Sequence, residues 1–111
     1  MTALDLARRV RARLTPRLAW TQFAYGRDAS GRYAIASSDR ACAWCLSGAV
    51  VAECAKEWRF SATLAHANME FYDALKTEIG TGAVDWNDAE DRTHGDVLAA
   101  LDRTIAALEA A

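Results

Sequence analysis

The chain holds one proline and six glycines in 111 residues. That leaves no room for a Pro/Gly-rich linker, a collagen-like repeat or a long disordered arm. It has no apolar run near the ~20 residues that a membrane-crossing helix needs. Its first stretch, MTALDLARRVRARL, carries too many charges for the apolar segment of a signal peptide. The expected compartment is therefore the cytoplasm, where thiols stay reduced. A basic excess is also missing: 13 Lys+Arg stand against 15 Asp+Glu, a formal net charge of -2. Nucleic-acid binders ordinarily show a basic stripe or surplus, so nucleic acid is not an expected partner. Only Arg8, Arg9, Arg11 and Arg13 keep phosphate contact open as a further alternative. Three cysteines, an odd number, fit poorly with a disulfide framework.

What remains is an ordinary globular balance, 52% hydrophobic and 25% charged. Its length suits one domain, residues 1–111, with a single core. Trp20, Trp44, Trp58 and Trp86 are expected to supply much of that core and its edges. A first helix is expected from Thr2 to about Leu14. Thr2 and Asp5 have capping-box spacing, Leu6, Val10 and Leu14 form an apolar stripe, and Pro16 ends it. The following segment, AWTQFAYGRDASGRYAIAS, places aromatic and β-branched residues around a turn at Gly26, Asp28, Ser30 and Gly31, which reads as a β-hairpin.

A second helix is expected from a cap at Ser37 or Ser38 to about Lys56, with Ala41, Trp44, Cys45, Gly48 and Ala52 recurring at three-and-four spacing. Its small residues allow close approach, which makes it the candidate for the central helix. KEWRF connects onward. Ser61 caps a third helix that stops at Gly80. After the loop TGAVDWNDAEDR, Thr93 and Asp96 form a capping box for the last helix, whose buried face is Val97, Leu98, Leu101, Ile105 and Leu108. The expected fold is mainly α: about four helices around a small-residue central helix, with one β-hairpin inserted after the first.

Two segments, AWCLSGAVV and WNDAEDRTHGDVLAALDRTI, resemble an uncharacterised bacterial and phage family, a domain of unknown function. Its members carry a Trp/Phe-Cys-x-x-Gly-Ala segment and a Trp-Asn-Asp-x-x-x-Arg-Thr segment. The matching residues are Trp44, Cys45, Gly48, Ala49, Trp86, Asn87, Asp88, Arg92 and Thr93. The resemblance implies importance for both segments and supplies no reaction.

Candidate chemistry is sparse. Cys42 and Cys45 form a Cys-x-x-Cys pair, but no βαβ pattern surrounds it, as a thioredoxin-like site requires. A metal would need about four matched ligands. Cys42, Cys45, Cys54 and His66 are the candidates, and on one helix Cys54 would stand more than ~10 Å from Cys45, so neither metal nor cofactor is expected. A cysteine hydrolase would use Cys45 as nucleophile, His94 as base, and Asn87 or Asp88 to orient it. Against this, Cys45 is expected two turns inside its helix and His94 in solvent. In DWNDAEDRTH, turn and cap chemistry accounts for the residue types, with Asp88 expected to pair with Arg92. The alternative is a binding loop using Trp86, Asn87, Asp88 and Arg92. His66 and Asn68 are expected as core-edge polar groups. The leading expectation is a small interaction or accessory domain without catalysis, whose partner is another protein or a second copy.

Overall fold

The computed structural model describes residues 1–57 and 61–111; the end of the expected KEWRF connector, with Trp58, lies outside them. Five α-helices follow in order: α1 (Ala3–Leu14), α2 (Leu46–Cys54), α3 (Ala62–Ile79), α4 (Ala83–Asn87) and α5 (His94–Ala110). A single 3-10 turn, Arg17–Ala19, and two short strands, β1 (Gly26–Arg27) and β2 (Ala43–Trp44), lie between α1 and α2. The fold is mainly helical with a small antiparallel pair, as the sequence leads one to expect.

The long helices form where periodicity and caps agree. Thr2 and Asp5 close a capping box on α1, and Thr93 and Asp96 close one on α5. Ser61 Oγ accepts from the Leu64 amide at the start of α3, and Gly80, at φ +78, ends it in the left-handed conformation that glycine adopts without steric cost. The apolar stripes point inward: Leu6, Val10 and Leu14 from α1, Phe71 and Leu75 from α3, Val97 and Leu101 from α5. Fully burying each such side chain contributes roughly 1.5–3 kcal/mol.

The central position is shared. α2 is buried from Leu46 to Val50 and again at Ala52 and Glu53, while α1 packs against α2, α3 and α5.

Two expectations need correction. The second helix does not start at Ser37 or Ser38; it starts at Leu46, with Cys45 as its N-cap. Residues Ala43 and Trp44 pair instead with Gly26 and Arg27. Trp44 is further held by its indole N–H to the Ala36 carbonyl at 2.8 Å and by the Arg13 guanidinium 4.4 Å from its ring centroid. These long-range contacts outweigh a helical pattern that local spacing alone supports. The second correction concerns the hairpin's strand partner. The expected turn is present, closed by an antiparallel bridge between Arg27 and Tyr33 and by bonds from the Asp28 amide to the Arg32 carbonyl and from the Ala34 amide to the Gly26 carbonyl, but β1's regular partner is β2, seventeen residues further along the chain by its first residues, Gly26 and Ala43.

The arginines of α1 are all in ion pairs: Arg8 with Glu109, Arg9 with Glu57, Arg11 with Asp102 and Arg13 with Glu53. The last pair is different in kind. Glu53 is 2% exposed, and Arg13 Nε reaches its Oε2 at 2.6 Å. Removing Arg13 leaves this buried carboxylate to the largely exposed Lys56 ammonium, 3.3 Å from Oε1, and a buried charge that loses its close partner is costly. Arg13→Met is therefore expected to cost about 3 kcal/mol in urea unfolding, and Arg13→Met with Glu53→Gln to recover much of that loss.

Candidate functional site

Asn87, at the end of α4, is 0% exposed. Its side-chain amide is used at both ends. Oδ1 accepts from the Trp20 indole N–H at 2.7 Å and from the Leu46 backbone amide at 3.1 Å. Nδ2 donates to the Thr21 carbonyl at 3.1 Å and to Asp88 Oδ1 at 3.0 Å. Gln22 Nε2 adds bonds to the Asn87 and Ala89 carbonyls, both at 2.9 Å. One side chain thus ties the segment after α1, the start of α2 and the end of α4.

Its neighbours have equally definite duties. Asp88 Oδ1 accepts from the Phe23 amide at 2.9 Å. Arg92 does not pair with Asp88, as was expected. Its Nε donates to the Trp86 carbonyl at 2.9 Å and its guanidinium lies 3.8 Å from the Trp86 ring centroid. A stacked Arg–Trp contact of this kind is stronger than a solvent-exposed ion pair. Arg92 also approaches Asp96 at 4.0 Å.

Cys45 caps α2. Its Sγ accepts from the Gly48 amide at 3.2 Å, and the residue is 4% exposed. Burial is the chief influence on this thiol and raises its pKa; the negative charge of Asp88 raises it too, against the lowering effect of the Gly48 amide. Gly48 is sterically required. A Cβ there would lie 1.8 Å from the Tyr25 carbonyl oxygen, so the chain before β1 presses directly on α2.

This close approach shapes an open groove of about 760 Å³. Its walls are the 23–26 and 33–36 segments, Cys45 at the cap of α2, Val51 within it, and Val84 and Asp88 of the α4 region. Phe23, Tyr25, Tyr33, Ile35, Val51 and Val84 all expose apolar surface there. Phe23 has φ +66, a costly conformation for a bulky residue. The bond from its amide to Asp88 holds it, and Tyr33 Oη donates to its carbonyl at 3.4 Å.

Of the residues singled out from sequence, Cys45 and Asp88 line the groove, and Asn87 lies just behind it. His94 faces elsewhere: Nε2 donates to the Leu14 carbonyl at 2.6 Å, and the ring stacks on Trp20 with centroids 6.4 Å apart. Cys42 is exposed, Cys54 is half-buried at the end of α2, and all three thiols are free. His66 is exposed on α3 rather than at the core edge. Among the described residues, no three His, Cys, Asp or Glu side chains gather as a metal would need. The groove aromatics were not singled out from sequence. The signal was there in RYAIAS, where Tyr33 and Ile35 alternate with alanines, but alternation does not say which face turns inward. The structure turns Ala36 in and Ile35 out, with the 34–36 backbone pressed so closely on Gly26 that a Cβ there would sit 2.7 Å from the Ala34 carbonyl.

Helical packing around a polar asparagine hub, with an apolar groove on one side, defines the class of this domain. The chain belongs to the family of unknown function DUF6197, whose model matches residues 1–107. No curated protein and no solved structure matches it.

Two measurements probe the site. Asn87→Ala leaves the Leu46 amide, the Trp20 indole and the Thr21 carbonyl without their partner; at about 1–3 kcal/mol for each unsatisfied buried group, a loss of at least ~3 kcal/mol is expected in denaturant unfolding. For Cys45, a raised folded-state pKa keeps the thiol protonated at neutral pH. Cys45 in a Cys42→Ser, Cys54→Ser background should react with a thiol-specific disulfide reagent far more slowly than the denatured chain at pH 7, and its rate should still be rising with pH above the ordinary thiol range.

Proposed function

We propose that this domain acts by binding protein, through the groove between the hairpin segment, α2 and α4, and has no catalysis of its own. The supporting observation is Phe23. Its backbone is strained and fixed by Asp88, yet its ring is 62% exposed, so the cost is not returned by packing within the chain. Strain held in place by a specific bond is characteristic of positions where function requires it. Tyr25, Tyr33 and Ile35 surround it with further exposed apolar surface. Contiguous exposed patches of this kind mark interaction surfaces.

The groove selects an apolar, uncharged segment. Asp88 is the one carboxylate in its lining, and that group already bonds Phe23 and Asn87. Arg27, beside the groove, is occupied by Thr21 Oγ1 and the Gly31 and Gln22 carbonyls. The alternative, a cysteine hydrolase of Cys45 and His94, has less support, since burial protonates the thiol and His94 is engaged by Leu14 and Trp20.

Panning a random peptide library on the immobilised domain tests the reading. Wild type is expected to enrich peptides with two or more aromatic or aliphatic anchors. Those peptides should lose at least about tenfold in affinity for Ile35→Glu. Enrichment of charged peptides, or equal binding to Ile35→Glu, would contradict it.

A further inference from the structure

We infer that the groove's occupant is a second copy of this chain, in a twofold dimer where Tyr33 and Ile35 of each copy seat in the groove of the other. The inference rests on the binding role proposed above and names its partner.

The first argument is area. Phe23, Tyr25 and Tyr33 are 62%, 56% and 76% exposed, and Ile35, Val51 and Val84 are 75%, 45% and 38% exposed. At about 200 Å² for an aromatic side chain, the three rings offer roughly 400 Å². The aliphatic residues bring the face to roughly 600 Å², the upper end of what the largest patch on a typical monomer shows. A standard interface buries roughly 800 Å² per partner, about 65% of it apolar in homodimers. The apolar face therefore matches what one side of a stable dimer has to cover.

The second argument is shape. A twofold contact is isologous, so one patch has to supply both the recess and what fills it. This face does so. Tyr33 and Ile35 are the most exposed of the large apolar residues that line the groove, so the patch that forms the recess also carries apolar side chains free to enter the partner's.

Charge is the third. Like-charge apposition across a twofold axis is costly, and here the recess is nearly free of charge. Outside it, exposed Arg32 precedes Tyr33 and exposed Asp85 follows Val84, so both signs border the same face and a twofold can set one against the other.

Sedimentation equilibrium of the full chain, from about 1 to 300 μM, tests the inference over the affinity range of ordinary protein pairs. Wild type is expected to sediment at twice the 12.1 kDa chain mass at the upper concentrations. Ile35→Glu and Val51→Glu, on separate segments, should each weaken the dimer at least about 100-fold by placing an unpaired carboxylate in the interface. Leu18→Glu, on an 88% exposed residue outside the groove, should leave it intact. If one groove variant fails to fold by circular dichroism, the other carries the result. A wild-type monomer throughout, or a dimer unchanged by both groove variants, overturns the inference. If the monomer still selects apolar peptides through Ile35, the binding role stands and only the self-partner falls; if it selects none, both fall.

Discussion

The side-chain amide of Asn87 fixes three chain segments against one another. A carboxamide offers two donors and two acceptor directions on one rigid plane, and here both ends are used in a site with no solvent exposure. Aspartate would lose the donor to Thr21, and an aliphatic residue would leave the Leu46 amide and the Trp20 indole unsatisfied. Because Asn87 holds residues 20–22 to the start of α2, the chain that follows is delivered onto Gly48. The Tyr25 carbonyl then lies where a Cβ would be. The groove is a consequence: its hairpin wall is held to its α2 and α4 walls by that same set of bonds.

How much of this could be read from sequence depends on whether the deciding contacts are local. α1, α3 and α5 are set by periodicity, a cap and a stop within a few residues of one another, and Thr2, Ser61, Gly80 and Thr93 hold the expected positions. The start of α2 is decided by distant partners. Ala41, Trp44, Cys45 and Gly48 repeat as a helix would, but Trp44 is claimed by Ala36, Arg13 and β1, and the helix begins only beyond it. Arg92 is a similar case. Turn chemistry leaves Asp88 available to Arg92, yet α4 turns the Trp86 carbonyl and ring toward Arg92, and Asp88 is drawn away by the Phe23 amide.

The cysteines show how setting decides chemistry. Cys42 and Cys45 are three residues apart, yet one is exposed on a loop and the other buried at a helix cap. A helix N-terminus normally lowers a thiol's pKa. At Cys45 desolvation and the nearby Asp88 carboxylate act in the opposite sense and prevail. Serine at this cap would bond the Gly48 amide better but would present a hydroxyl to an apolar wall. The thiol meets both demands, as a weak acceptor for the helix and a small apolar surface for the groove.

Phe23 connects the hub to the groove. A left-handed conformation costs a non-glycine residue roughly 1–2 kcal/mol, and a glycine at this position would avoid that cost. The bond from its amide to Asp88 offsets it, and Asp88 is in turn oriented by Asn87. The same asparagine that closes the interior therefore also sets the most strained residue on the surface. Packing inside the chain does not account for that expenditure, since the ring remains largely in solvent. Under the binding role proposed above an apolar partner would, because covering the ring would recover burial energy comparable to the strain, at ~25 cal/mol for each Å² removed from water. The hub and the groove are accordingly two ends of one device, in which buried hydrogen bonds set the geometry of an exposed apolar face.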